Sequence, residues 1–163
     1  MKPVIRTAEE KDVESIYNLI MHFASEGVIL ERSISDIKKN IASFLVAAAE
    51  GEIVGTATYF DYGENLKEVR SLAVTESCQG LGVGRDLLLN LIRGIKSKSD
   101  AKIFTLTYKP GFFSRNGFTV VPKSEFPEKI WKDCLSYRDW ETDRKSTRLN
   151  SSHSAKSRMP SSA

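Results

Sequence analysis

The sequence predicts an α/β fold in which an antiparallel run of strands converts into a β-α-β finish, gathered into one mixed sheet. Three observations carry that prediction. Residues 68–74 place Val69, Leu72 and Val74 in an apolar-rich run that reads as a strand, and Gly80, Gly82 and Gly84 follow it. Leu87, Leu88, Leu91, Ile92 and Ile95 then recur at helical spacing. Strand arms precede this unit and a second strand-helix pair comes after it.

Taken in order, residues 4–6 are a short strand, and Asp12 is placed to cap a helix whose Val13, Ile16, Tyr17, Ile20 and Met21 share one face as far as Gly27. A shorter helix is expected after Ser33 or Ser35, with Ile34, Ile37 and Ile41 inward and Lys38, Lys39 and Asn40 outward. Residues 44–49 and 53–59 are β-branched and aromatic arms around Glu50-Gly51-Glu52, the pattern of a hairpin, and residues 61–65 read as a loop. After the glycine-loop helix, residues 103–107 form a strand expected beside residues 68–74. Pro110 opens a helix of one or two turns with Gly117 at its C-terminal end, and residues 119–121 are the sixth strand.

The last stretch is set aside. Asp143-Arg-Lys-Ser-Thr-Arg-Leu-Asn-Ser-Ser-His153 and residues 157–163 resemble the translation of a short-read sequencing adaptor. Residues 138–163 are therefore read as a disordered, artefactual tail and residues 1–137 as a single domain, with the native continuation beyond about residue 137 expected to be missing. A genuine Ser/Arg/Lys-rich disordered tail is the alternative. Without it the net charge falls from +3 to zero, with 18 basic and 18 acidic side chains, so the basic balance gives no support to nucleic-acid binding. No apolar run approaches the roughly 18 residues of a membrane span, and the N-terminus lacks a signal-type apolar segment. A soluble, cytoplasmic protein without membrane or nucleic-acid partners is expected. Cys78 and Cys134 show no metal-ligand spacing; both are read as free thiols, and no metal is expected.

The glycine-rich turn is where chemistry is concentrated. Three glycines remove the Cβ atoms that would hold a ligand off the backbone, at the point where a helix N-terminus presents free amides, an arrangement suited to a pyrophosphate. A tight strand-to-helix connection without a ligand is the plain alternative. The dinucleotide fingerprint fails because Arg85 stands where glycine is required, and the P-loop fails for want of Gly-Lys-Ser/Thr.

Gln79-Gly-Leu-Gly-Val-Gly84 resembles the Gln/Arg-x-x-Gly-x-Gly/Ala motif of the GNAT N-acetyltransferases, and Phe112-Phe-Ser-Arg-Asn-Gly-Phe118 after the fifth strand fits the same layout. The resemblance covers residues 3 to about 135. It is greatest to the acetyltransferase domain of N-acetylglutamate synthase and its small stand-alone relatives, on Glu31-Arg-Ser33, Glu68-Val-Arg-Ser-Leu-Ala-Val74, Phe104-Thr-Leu-Thr107 and Lys129-Ile-Trp-Lys-Asp-Cys134. It implies a mixed central sheet of about six to seven strands with helices on both faces. It also implies acetyl-CoA as co-substrate and a small-molecule amine as acceptor, an amino acid such as glutamate, in a reaction like that of arginine biosynthesis. The first strand begins next to Met1, so feedback through an N-terminal kinase-like domain is not expected. The sequence is silent on oligomeric state and leaves a homodimer open.

Residue roles follow from what a thioester and an amine require. The resemblance places the pyrophosphate on Gln79, Gly80, Leu81, Gly82, Val83 and Gly84. The backbone of Leu72, Ala73 and Val74 would pair with the pantetheine amides as a strand edge pairs with another strand, and one amide could polarise the thioester oxygen. An ammonium cannot attack, so a proton acceptor is needed, and Glu68 is the first candidate, with a solvated rim carboxylate as the alternative. Strand alternation puts Glu68, Arg70, Leu72 and Val74 on one face. Arg32 and Lys109 are the candidate partners of an acceptor carboxylate; Arg70 is either a third or an ion-pair partner of Glu68. Phe113 lines the cofactor region where many family members have a proton-donating tyrosine, which leaves the thiolate to solvent or to Tyr108 or Ser114. His22 is read as a surface residue and Cys78 as a filler, so direct transfer is preferred to a covalent enzyme intermediate. Two other classes fit the same residues: a non-catalytic acyl-CoA-binding module, and a protein or peptide N-acetyltransferase.

Overall fold

Strands β1 (Val4–Thr7), β2 (Leu45–Ala49), β3 (Glu52–Gly63) and β4 (Leu66–Val74) form an antiparallel meander in which each pairs with its neighbour in sequence. The computed structural model describes residues 2–63, 66–107 and 109–119, and the chain divides into two units, the first ending at Ala101 and the second beginning at Lys102. Helices α1 (Val13–Ser25), α2 (Ile34–Lys39) and α3 (Val83–Lys96) complete the first unit; β5 (Lys102–Thr105) and α4 (Pro110–Arg115) belong to the second.

Two helical layers cover opposite faces of the meander. On one face α1 and α2 contribute Ile16, Ile20 and Ile37 to a cluster with Phe44 and Val46, and Leu19 and Phe23 of α1 pack with Ala73 of β4. Burying each such aliphatic side chain contributes about 1.5–3 kcal/mol. On the other face α3 sends in Leu87, whose Cδ1 would lie 2.9 Å from a Cβ at position 55. Glycine at 55 is therefore the condition for α3 to approach β3 so closely.

Local signals act largely as the sequence predicts. The hydroxyl of Ser33 accepts the Asp36 amide at 3.1 Å and caps α2. Glu50 and Gly51 take φ of 51° and 82°, a type I′-like turn whose twist matches the flanking strands. Asp12 precedes α1 but does not cap it. Its carboxylate instead accepts two bonds from Arg6, at 2.8 and 3.1 Å, and the Glu9 amide at 2.7 Å, fastening β1 to the start of the helix.

Four expectations are corrected. β3 continues through Asp61 to Gly63, where the polar composition had suggested a loop, because the longer arm pairs with the start of β4. Ile34 is exposed rather than inward, since in six-residue α2 only Ile37 reaches the cluster fully. β5 ends at Thr105, two residues early, and Thr119 is not in a strand. The fourth correction, to the facing of β4, matters most. Along this strand Arg70 pairs with Thr58 and Ala73 with Thr56, so Ser71 and Leu72 together stand opposite Ala57. This is a bulge, and Ser71 takes φ of 55° to make it. One extra residue reverses the alternation beyond it. Ala73 shares the α1 face with Arg70 and Glu68, while Val74, paired with Gly55, turns towards α3, so Glu68, Arg70, Leu72 and Val74 do not share one face.

Five strands are described, against six to seven expected; Val120, Val121 and Cys134 lie outside the described residues, as does the whole of residues 138–163. Among the described residues no helix is long and apolar enough to cross a membrane, and Cys78 is a free thiol.

Candidate active site

The glycine turn has the backbone its composition implies. Gly80 and Gly82 take φ of 81° and 87°, a region that side-chain-bearing residues enter at a cost, and nothing lies within 4 Å of where a Cβ would stand at either. Space is thus open beside the turn at both positions. The first α3 bond runs from the Asp86 amide to the Gly82 carbonyl at 3.0 Å. The amides of Gly82, Val83, Gly84 and Arg85 therefore have no acceptor within the helix, at the positive end of a 14-residue dipole. The Val83 side chain is buried while Leu81 is 70% exposed. Gln79 anchors the turn: its side-chain Nε2 donates to the Val74 carbonyl at 2.8 Å, tying the loop to the end of β4.

On β4 just before the bulge, the buried carboxylate of Glu68 sits in a closed ring of hydrogen bonds. Arg70 Nε donates to Glu68 Oε1 at 2.7 Å, the Tyr62 hydroxyl donates to the same oxygen at 2.9 Å, and Arg70 Nη2 donates to the Tyr62 hydroxyl at 2.8 Å. Oε2 has no hydrogen-bond partner among the described residues. The Arg70 guanidinium lies over the rings of Phe60 at 4.3 Å and Tyr62 at 5.8 Å, a cation–π contact that holds its plane. Burial pulls the Arg70 guanidinium down, but the charge of Glu68 and the bonds to Glu68 and Tyr62 outweigh it and carry it above its ordinary value. The Tyr62 phenol is pushed far up, by burial first and then by the charge of Glu68. Arginine stays charged and tyrosine stays protonated throughout the neutral range.

Arg32 reaches the same strand from the segment between α1 and α2. Its Nε pairs with Asp36 at 2.8 Å, its Nη1 approaches the Ser71 hydroxyl at 3.4 Å, and it rests over Phe44 at 5.4 Å. The bulge is thus bracketed by Arg32 on Ser71 and by Arg70 and Glu68 just before it.

The second unit places the other candidates separately. Phe113 is buried in edge-to-face contact with Phe112 and Phe118, at centroid distances of 5.1 and 5.3 Å. Lys109 is exposed at the start of α4, its amide donating to the Thr107 hydroxyl at 2.8 Å, and Ser114 is exposed. Tyr108 lies outside the described residues.

An acetyltransferase (GNAT) domain profile matches residues 40–120. An uncharacterized N-acetyltransferase of Chlorobaculum tepidum is 35% identical over 132 residues, which are 81% of this chain and 85% of that protein. The chain belongs to the GNAT acetyltransferase family. As a GNAT enzyme it is an acyltransferase with acetyl-CoA as co-substrate, and the open glycine turn, whose amides have no acceptor within the helix, fits a pyrophosphate. The amino-acid acetyltransferase of Mycobacterium tuberculosis is 27% identical over 140 residues, 83% of this chain and 80% of that one. N-acetylglutamate synthase from Neisseria gonorrhoeae, solved with coenzyme A and N-acetyl-glutamate, superposes with a TM-score of 0.81 at 25% identity; the match covers 96% of this chain and about a third (35%) of the synthase chain.

Of the GNAT chain's candidate residues, the structure brings Glu68 and Arg70 together as an ion pair, and puts Arg32 on Ser71 of the same strand. Sequence reasoning missed Tyr62, Phe60, Asp36 and Ser71. Tyr62 and Phe60 stand near the end of a strand whose length only the β3–β4 pairing reveals. Asp36 carried a usable signal, its spacing of four from Arg32.

Proposed function

We propose that this protein moves the acetyl group of acetyl-CoA to the amine of a free amino acid, such as glutamate, by direct attack, as a cytoplasmic enzyme. The observation that carries this reading is the Glu68 carboxylate: buried on β4 at the bulge, with one oxygen fixed by Arg70 and Tyr62 and the other without a hydrogen-bond partner among the described residues. The names of the relatives supply the acceptor class, since an amino-acid acetyltransferase and a synthase of N-acetylglutamate are among the proteins it resembles.

Each residue then has a task. The amides around Gly80, Gly82 and Gly84 hold the pyrophosphate, with Gln79 fixing the turn and Leu81 and Val83 contributing backbone. The backbone of Leu72, Ala73 and Val74 offers strand-edge groups to the pantetheine and an amide to the thioester oxygen. Glu68 Oε2 takes the proton of the attacking amine, directly or through a water, because only the neutral amine has the lone pair that forms the new C–N bond. Arg32 meets the acceptor carboxylate through the guanidinium edge not committed to Asp36, and Lys109, in the second unit, is a separate candidate for that role. Two N–H groups of Arg70 are already engaged, so it holds Glu68 rather than substrate. Phe113 donates no proton, and the thiolate leaves to solvent.

The test is product mass and thiol release with acetyl-CoA against L-glutamate, the other amino acids and N-terminal peptides. Glu68→Gln should lower kcat by roughly 10²–10⁴ with acetyl-CoA affinity nearly unchanged, and the loss should shrink at high pH where more amine arrives neutral. Arg32→Ala should raise KM for carboxylate-bearing acceptors with a smaller effect on other amines. Acetyl-CoA binding without thiol release in any acceptor mixture would make the protein an acyl-CoA-binding module, and modification of peptides alone would make it a protein acetyltransferase.

A further inference from the structure

We propose that Tyr62 is the positioning residue of this site: by occupying Arg70 Nη2 and Glu68 Oε1 together, it keeps Glu68 Oε2 open as the proton acceptor. The inference rests on the reading of Glu68 as the base. Its ground is the way the three side chains share their donors. A guanidinium beside a carboxylate ordinarily closes a fork, two parallel N–H groups on two oxygens. Here Arg70 is in position to do so, with Nε 2.7 Å from Oε1, yet Nη2 points to the Tyr62 hydroxyl at 2.8 Å instead. The same hydroxyl passes its own proton to Oε1 at 2.9 Å. Tyrosine thus accepts the donor that would have covered Oε2, and adds a second donor to the oxygen already covered. The carboxylate cannot turn about its terminal bond without losing two charge-assisted bonds, and its other oxygen has no partner among the described residues.

The placement of Tyr62 is built by the fold. A second irregularity in the β3–β4 ladder, where Asp61 pairs with Lys67 and Gly63 with Leu66, makes Tyr62 the extra residue between the two pairs. Asp61 pins that irregularity by accepting the Gly63 amide at 2.8 Å and pairing with Lys67 at 3.1 Å. The Tyr62 ring packs edge-to-face on Phe60 at 4.8 Å, and Phe60 in turn carries the Arg70 guanidinium. Burial and the adjacent Glu68 charge keep the phenol protonated across the working range, so it remains a donor whenever the base is ionised.

The decisive variant is Tyr62→Phe, which keeps the ring and its packing and removes only the hydroxyl. A crystal structure of this variant should show Arg70 Nη2 swung onto Glu68 Oε2. With acetyl-CoA and L-glutamate, kcat should fall roughly tenfold, the scale of one hydrogen bond to a charged group, with acetyl-CoA KM unchanged. In a Glu68→Gln background the same substitution should cost nothing further. Adding Arg70→Lys to Tyr62→Phe should recover part of the lost kcat, because an ammonium has no planar fork with which to cover both oxygens. The inference is overturned if the guanidinium keeps its monodentate pose in Tyr62→Phe, or if the loss is as large in the Glu68→Gln background as in the wild-type one. Wild-type kcat in Tyr62→Phe beside a slow Glu68→Gln would overturn it while leaving the base intact. Wild-type kcat in Glu68→Gln itself would instead remove the reading beneath it. Should Tyr62→Phe fold poorly, a crystal structure of the wild type with coenzyme A and N-acetyl-glutamate serves: it should keep Arg70 Nη2 on the Tyr62 hydroxyl with Glu68 Oε2 facing the acetylated nitrogen, and Oε2 covered by Arg70 counts against the proposal.

Discussion

Gly82→Ala separates the fold of the glycine turn from its function. The backbone there has φ of 87°, and no atom lies within 4 Å of the new Cβ, so the substitution meets strain but no clash. An alanine forced into the left-handed region costs about 1–2 kcal/mol. The loss of unfolded-state freedom relative to glycine returns about 0.4–1 kcal/mol, for a net destabilisation near 1 kcal/mol. For a domain of this size that lowers Tm by about 3–6 °C. Binding should suffer more. If the amides of residues 82–85 hold the pyrophosphate, as proposed, the methyl group crowds them, and each charge-assisted bond lost there is worth about 1.5–3 kcal/mol, raising Kd for coenzyme A at least about tenfold. Gly27 provides the control. It ends α1 at φ of 74°, also with nothing within 4 Å, so Gly27→Ala should show a similar drop in Tm and no change in Kd. Titration calorimetry with coenzyme A and thermal melts by circular dichroism measure both quantities on the same samples. Wild-type coenzyme A affinity in a folded Gly82→Ala protein, or an equal loss in Gly27→Ala, would refute the assignment of the turn as the pyrophosphate site.

Other outcomes follow from the same contacts. Leu81→Ala, at the 70% exposed tip of the turn, should leave Tm and coenzyme A affinity unchanged in those two assays. Asp12→Ala breaks two bonds with Arg6 and one with the Glu9 amide, and urea unfolding should show a loss of about 2 kcal/mol. The Arg6 bond holds the Asp12 carboxyl below its usual value, so this contribution is present above the ordinary carboxylate pKa and disappears as pH falls through the depressed one. On the surface, the bond to Glu76 at 2.8 Å raises His22 and lowers Glu76. A raised histidine contributes fully below its unfolded pKa and loses that contribution as pH rises through the folded one. The Tm difference between wild type and His22→Ala should therefore be largest near pH 6 and fade towards pH 9; a difference independent of pH would dissociate the shift from this pair.

What the sequence determined by itself is whatever depends on near neighbours along the chain. The α3 stripe from Leu87 to Ile95, the Ser33 cap, the Glu50-Gly51 turn and the glycine loop each follow from spacing and backbone sterics within about fifteen residues, and each stands where it was expected. Glu68 could be singled out because a carboxylate opening that strand has a chemical use, and Arg70 because two residues along a strand is one face. What only the tertiary structure decided is the set of relations between strands. No local pattern announces that Ser71 adopts a positive φ, yet that one residue reverses the facing of Ala73 and Val74 and separates Val74 from the face of Glu68. Nor could the sequence pair Tyr62 with Glu68, because their meeting depends on how far β3 runs before it turns and on a second irregularity in the ladder. Arg32 met Ser71, 39 residues away, for the same reason. Helical periodicity is written in one segment and can be read there, whereas register is a property of two segments and is fixed only when both have packed between α1 and α3.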